Sequence, residues 1–192
     1  MTDFPNIFAN NVTEAVSVFQ SLGELAEPMR QAATMAADCL TAGHKLMTCG
    51  NGGSASDASH LATEFVCRFQ DDRRPYPAIA LGDVGSTLTA IANDYDFEEV
   101  FARQVRAFGQ RGDVLIALTT SGRSRNVLRA IEAAQQGGVQ SIALLGKDGG
   151  EVTGLADVEL LVPHPSTARI QEAHALLYHC LCEMVEATLP RE

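Results

Sequence analysis

The sequence predicts an α/β protein: a three-layer α/β/α sandwich built on a five-stranded parallel sheet, with two extra helices ahead of it. Three observations predict it. Five short runs, Leu46–Cys49, Ala78–Leu81, Val114–Leu118, Ser141–Leu145 and Val158–Val162, alternate with segments of helical periodicity, the pattern of strands joined in parallel through crossover helices. The runs are apolar rather than alternating, as strands covered on both faces are. The residues just after the runs are rich in glycine, amides and hydroxyls, and ligands of such sheets bind there, beyond the carboxyl ends of the strands.

Taken in order, the chain opens with helical periodicity near Ile7–Leu22 and again over Leu25–Ala42, where Gly43 is placed to end the helix. These helices, within residues 1–43, precede the first strand and are additions to the α/β unit of residues 44–192; the whole chain, 1–192, reads as a single domain. Apolar helices outside a sheet either cover a subunit interface or pack on their own sheet. Between the strands the predicted helices are Ser54–Phe69, a pair across Ser86–Ala92 and Phe97–Gly109, then Ser124–Gly137, a short one after Gly149, and a long last helix, Ala168–Leu189. The prolines of Arg73-Arg-Pro-Tyr-Pro77 end the helix before them.

Composition sets limits. A net charge of −10 excludes a general nucleic-acid or anionic-membrane surface, so any phosphate must be held locally, by backbone amides, hydroxyls and a few cations. No apolar run approaches the ~20 residues of a membrane span, and Met-Thr-Asp-Phe-Pro-Asn shows no secretory signal. Five cysteines (39, 49, 67, 180 and 182) are odd in number and form no Cys-x-x-Cys, which suits reduced thiols in a cytoplasmic protein.

The chemistry gathers on three stretches. The first runs from Cys49 to Glu64: a strand turns through Gly50-Asn51-Gly52-Gly53 into a helix, which offers free N–H groups and a helix N-terminus to an anion. Its half-match to Gly-x-Gly-x-x-Ala lacks the acidic residue expected about 20 positions on. His60 and Glu64, at i and i+4, share a face further along that helix; such a pair is also what a solvated helix surface carries. The second stretch is Thr119-Thr120-Ser121-Gly122-Arg123-Ser124, four hydroxyls and a glycine before a helix. One N-cap needs only one hydroxyl; four can surround phosphate oxygens. The third is Arg169-Ile-Gln171-Glu-Ala-His174 followed by His179. Gln171 and His179, eight apart, lie on neighbouring sides of one face, although a histidine on an apolar helix also reads as core. Two helices carrying His/Glu and Gln/His could supply four N/O donors to a divalent metal. Asp57, one turn before His60, is placed either to orient that imidazole or simply to favour the helix N-terminus.

In these motifs, together with Ala-Asn93-Asp94 and Gly112-Asp-Val-Leu115, the chain resembles the phosphoheptose isomerases, a family of the sugar isomerase (SIS) domain superfamily, over essentially its whole length. The resemblance implies a flavodoxin-like strand order. It implies zinc, one per subunit, at His60, Glu64, Gln171 and His179, with Glu64 and His179 as acid–base groups. It implies sugar-phosphate contacts at Asn51, Gly52, Gly53, Glu64, Asn93, Asp94, Thr119, Thr120, Ser121, Ser124 and Gln171. It further implies a homotetramer with active sites between subunits, turning sedoheptulose 7-phosphate into D-glycero-D-manno-heptose 7-phosphate through a cis-enediol, on the way to lipopolysaccharide heptose. The alternative is a non-enzymatic tetrameric adaptor of the same fold that binds the replication initiator DnaA; the Glu64 carboxylate speaks for the enzyme. Two positions depart from the family pattern: Arg123 stands where many members have Asn, a cation near the phosphate loop, and Ala168 stands where some carry Asp.

Overall fold

The computed structural model describes residues 3–190. Its elements are α1 (Phe4–Ser21), α2 (Ala26–Thr41), β1 (Leu46–Gly50), α3 (Gly53–Val66), β2 (Ala78–Ala80), α4 (Gly85–Asp94), α5 (Ala102–Phe108), β3 (Val114–Thr119), α6 (Arg125–Gly137), β4 (Gln140–Gly146), β5 (Val158–Val162) and α7 (Thr167–Glu186). Single 3₁₀ turns lie at Leu22–Leu25, Phe97–Glu99 and Gly150–Val152. The five strands are all parallel, in the order β2-β1-β3-β4-β5. That is the doubly wound order in which the chain starts near the middle and winds outward both ways, leaving a switch point between β1 and β3.

Side chains along each strand alternate between the two faces, and here both faces are covered. On one, Leu46, Val114, Ile116, Leu118, Ile142 and Leu144 pack against α2, α3 and α7 through Leu40, Leu61, Phe65, Ile170 and Leu181. On the other, Met47, Cys49, Leu115, Ala117, Ala143 and Leu145 meet α4, α5 and α6 through Ile91, Val105, Val127 and Ile131. Burial on both sides is why the strands read as apolar runs without a polar face.

The two leading helices part company. α2 joins the sheet's own core through Met29, Ala32, Ala33, Ala36 and Leu40. α1 buries only Val18 and leaves Phe4, Ile7, Phe8, Val12, Val16 and Phe19 exposed, a stripe at helical spacing with Phe8 as much as 73% exposed. Arg169 ties α1 to the first turn of α7, donating from one guanidinium nitrogen to the Asn11 carbonyl (3.0 Å) and side-chain oxygen (2.6 Å).

Most element ends fall within three residues of the expected ones, the last helix stopping at Glu186 where Leu189 was expected, and two differences have a visible cause. The expected helix Ser54–Phe69 stops at Val66, because the N–H groups of Phe69, Gln70 and Asp71 turn to the carboxylate of Glu186 instead of continuing the helix. The expected helix Phe97–Gly109 is a 3₁₀ turn followed by the short α5, the turn set by Asp96, whose side chain accepts from Glu98 N–H. Among the described residues no helix is long and apolar enough to cross a membrane, and all five cysteines are free, with only Cys67 exposed. Burial pushes the Cys39 and Cys49 thiols up to about 12.

Candidate active site

At the switch point, two helix N-termini open onto one cleft of about 270 Å³ lined by Asn51, Gly53, Ser54, Thr119, Thr120, Ser124, Thr167 and Gln171. Gly52 starts α3 with φ +58° and ψ −122°, a backbone conformation for which glycine carries no steric cost. Gly53 follows with the Gln171 amide against it, so close that a Cβ would overlap the amide nitrogen. Asn51 and Asn126 exchange a reciprocal pair of amide hydrogen bonds, both 2.8 Å, across the head of the cleft. They lock the turn after β1 to the start of α6.

The hydroxyl loop divides its work. Ser124 occupies the N-cap position of α6, yet its hydroxyl makes no capping bond; it lies 3.3 Å from the Thr119 hydroxyl instead. Thr119 Oγ1 also accepts from Gly122 N–H at 3.2 Å. Ser121 Oγ accepts from Arg123 N–H at 3.2 Å, so it braces the loop and is not among the cleft's lining. Arg123, read from the sequence as a cation near phosphate, forms a bidentate pair with Asp148 at 3.0 and 2.7 Å on the outer rim. The cleft lining holds no Lys or Arg among the described residues. What it offers an anion is hydroxyls and the positive ends of α3 and α6.

The second centre lies further along α3 and α7, which run side by side. His60, Glu64 and His179 bring one ligand atom each within 4.8 Å of one another. His60 Nε2 is 2.7 Å from Glu64 Oε1, and its Nδ1 is 3.0 Å from the Tyr178 hydroxyl. The His60 and His179 rings meet edge to face with centroids 5.2 Å apart, and Phe69 stacks on His179 at 5.9 Å and 24°. Glu64 is largely shielded while His60 is half open. Burial pushes the Tyr178 phenol up to about 12, helped by the nearby carboxylates of Asp57 and Glu64. It therefore stays a neutral hydroxyl, able either to give or to accept a proton toward His60.

Of the residues singled out in the sequence, the structure gathers Asn51, Gly53, Thr119, Thr120, Ser124 and Gln171 in the cleft and His60, Glu64 and His179 in the cluster. Gln171 lies against Gly53, seven residues before His60 and so about two helical turns away. Asn93 and Asp94, at the exposed end of α4, hydrogen-bond to each other at 2.8 Å and line neither centre. Asp57, read either as a partner for the His60 imidazole or as a first-turn acid, has its carboxyl raised by burial, with His60 and His179 pulling the other way; His60 Nδ1 has its hydrogen bond with the Tyr178 hydroxyl. Sequence reasoning missed Tyr178, Asn126 and Thr167. Tyr178 is the neighbour of His179 in a motif already under scrutiny, and Thr167 opens the last helix, so position was the available signal.

A parallel sheet in this order, a cleft of hydroxyls and helix N-termini, and a His–Glu–His cluster further along the same helices are what a sugar-phosphate domain needs. The SIS domain model matches residues 8–146, and the chain belongs to the SIS domain family. It is 52% identical over 168 residues to the phosphoheptose isomerase of Shewanella sediminis, covering 86% of this chain and 85% of that protein. Among solved structures it resembles phosphoheptose isomerase GmhA from Neisseria gonorrhoeae, with TM-score 0.90, 43% identity and coverage of 95% and 98% of the two chains. The phosphoheptose isomerase from Francisella tularensis gives TM-score 0.92 at 37% identity, over 97% and 100%. Within the SIS family, this chain is one of the phosphoheptose isomerases.

Proposed function

We propose that this chain is an aldose–ketose isomerase that converts sedoheptulose 7-phosphate to D-glycero-D-manno-heptose 7-phosphate, feeding lipopolysaccharide heptose synthesis. The observation that carries the reading is a hydroxyl-lined cleft, built from the loop before α6 and the first turns of α3 and α7, with a His–Glu–His cluster further along those same two helices.

The phosphate end of the open-chain sugar is assigned to Thr119, Thr120, Ser124 and the N–H groups at Gly52–Ser54. Binding far from the reacting carbons positions C1 and C2 without itself reacting. A base then takes a proton from C1, the electrons of that C–H bond form the C1–C2 double bond of a cis-enediol, and the C2 oxygen gains a proton. Returning a proton to C2 and removing one from the C1 hydroxyl leaves the aldehyde. Glu64 and His179 are the two groups placed for this exchange. Three N/O donors within 4.8 Å suit a tetrahedral divalent cation with an open position, and His60, Glu64 and His179 would hold zinc there. When bound, zinc would supply Lewis-acid polarisation of the substrate oxygens. Gln171 enters as fourth ligand and substrate contact on the family resemblance alone, since its amide rests on Gly53. Asn93, Asp94, Gly52 and Ser121 enter as substrate contacts in the same way.

A homotetramer with sites between subunits is part of this proposal. Its support is the uncovered apolar stripe of α1 and the place of Asn93 and Asp94 outside the lining of both centres. Reduced thiols support a cytoplasmic setting. The DnaA-binding adaptor gains nothing from the relatives described above, and Glu64 stands within hydrogen-bonding distance of His60.

The test is isomerisation of sedoheptulose 7-phosphate by the purified protein before and after chelation, then with zinc returned, beside Glu64→Gln. Turnover that falls with chelator, recovers with zinc and drops at least about a hundredfold in Glu64→Gln is the expected result. A folded, zinc-supplied protein with no turnover would refute the enzyme reading and send the question to DnaA binding.

A further inference from the structure

We propose that Glu186, at the last turn of α7, is a positioning residue for the His179–Glu64 end of the site, acting through the segment 67–73 that follows α3. The proposal rests on the isomerase reading above for what those two residues do.

Glu186 is 8% exposed, and a buried carboxylate is costly unless its oxygens are fully engaged. Here they are. Oε1 accepts from Phe69 N–H at 3.3 Å and from Arg73 Nε at 2.8 Å; Oε2 accepts from Gln70 N–H at 2.9 Å and Asp71 N–H at 3.2 Å. Burial alone would raise this carboxyl, but the N–H groups of Gln70 and Asp71 and the Arg73 guanidinium outweigh it, and the net shift is downward. The charge is therefore present at neutral pH. Arg73 is as deeply placed, its side chain 3% exposed. Its other two nitrogens donate to the carbonyls of Phe65 (3.1 Å), Arg74 (3.2 Å) and Glu64 (2.7 Å).

One ion pair thus closes a ring of contacts that joins the end of α7, the turn after α3 and the backbone of Glu64 itself. The turn is neither helix nor strand, and the core packing of Phe69 is joined there by the three N–H bonds to Glu186. What it delivers is Phe69, whose ring lies nearly parallel to His179 at 5.9 Å. Two of the three clustered side chains are therefore braced by the same pair. Glu64 is held through its carbonyl and His179 through the stacked ring. Buried ion pairs are weak devices for stability, since apolar replacements often do as well. A pair that fixes six backbone groups beside an acid–base centre serves geometry instead, and outer partners of this kind commonly carry about ten- to a hundredfold in metal affinity or activity.

The experiment compares the wild type with Glu186→Gln, Phe69→Leu and Phe69→Tyr. Phe69→Leu keeps an apolar side chain and does not disturb the ion pair, so it remains informative if Glu186→Gln fails to fold. Cobalt(II) is titrated into each protein without sugar and followed by its visible absorption; kcat and KM for sedoheptulose 7-phosphate and the melting temperature are measured alongside. The expected result is a cobalt dissociation constant raised about tenfold and a kcat lowered by a similar factor in Glu186→Gln and Phe69→Leu. KM should stay within about twofold, because the phosphate cleft lies about two turns away, and Phe69→Tyr should restore the wild-type values. A lower melting temperature with cobalt affinity and kcat unchanged would reduce the ion pair to a structural role and overturn the proposal. A wild type that binds no cobalt would count against the metal reading and not against the brace, which kcat in Phe69→Leu then decides. A wild type without turnover on this sugar fails the isomerase reading, and cobalt affinity in Phe69→Leu then decides the brace.

Discussion

His174 is a histidine whose charge the fold refuses. It is fully buried in α7, and its Nε2–H donates to the Leu145 carbonyl at 2.9 Å, leaving Nδ1 without a partner among the described residues. Burial pushes its pKa down to about 4, the Leu145 carbonyl pulling weakly the other way. Above pH 6.5 folded and unfolded chains both carry it neutral, and it has no pH effect. As pH falls from 6.5 toward 4 the unfolded chain takes up a proton that the folded chain excludes, so stability is lost over that window, on the order of 3 kcal/mol in all. Urea unfolding at pH 7 and pH 4.5 should show the loss in the wild type, and it should shrink markedly in His174→Gln, which keeps a donor toward Leu145. Below pH 4 the depressed carboxyls of Glu186 and Asp113 take over as the acid-sensitive groups. At this scale the sequence disclosed donor types and spacings: His60 with Glu64 one turn on, and His179 on a second helix. It did not disclose who completes them. Tyr178 reaches His60 across 118 residues of sequence and Asn126 reaches Asn51 across 75, and nothing local in the chain marks such a pairing. The partner of Arg123 was unmarked for the same reason, Asp148 lying 25 residues on.

At the scale of elements, the site is a consequence of α3 and α7 lying side by side. Gly53 meets Gln171 at one end, and His60 meets His179 further along. Gly53 has an ordinary helical backbone, so Gly53→Ala is not strained in φ and should hold or raise the melting temperature, alanine being favoured by about 1 kcal/mol inside helices. The new methyl must displace the Gln171 amide. We therefore expect KM for the sugar phosphate to rise and, with Gln171 as the proposed fourth ligand, the cobalt dissociation constant to rise with it, as measured by steady-state kinetics and metal binding on the same preparation. Strand positions were legible because a doubly covered strand has one simple signature, an apolar run. Helix ends were not, where a distant side chain decides them: α3 stops at Val66 because Glu186, 120 positions later, captures the next free N–H groups.

For the whole molecule, the parallel sheet and its two helical layers followed from the alternation of elements, while the strand order came from the family resemblance. The sequence left open whether the leading helices pack on the sheet or on another copy, and the answer is divided: α2 is core, and α1 keeps its apolar stripe outward. If that stripe is the seam of the proposed tetramer, Val12→Glu should leave the circular dichroism unchanged and lower the mass seen by light scattering at micromolar concentration, with turnover falling in parallel. A wild type that scatters as a single chain would remove the intersubunit site from the proposal.

The cysteines have a practical consequence. Cys39, Cys49 and Cys182 are buried, Cys180 is half-buried, and Cys67 alone is exposed. A maleimide dye should therefore find this chain at one address, immediately after α3 and two residues before the ring that leans on His179. The chain comes supplied with its own optical port: fluorescence from that thiol would follow the turn in real time as cation and sugar arrive, with no cysteine needing to be engineered in or out.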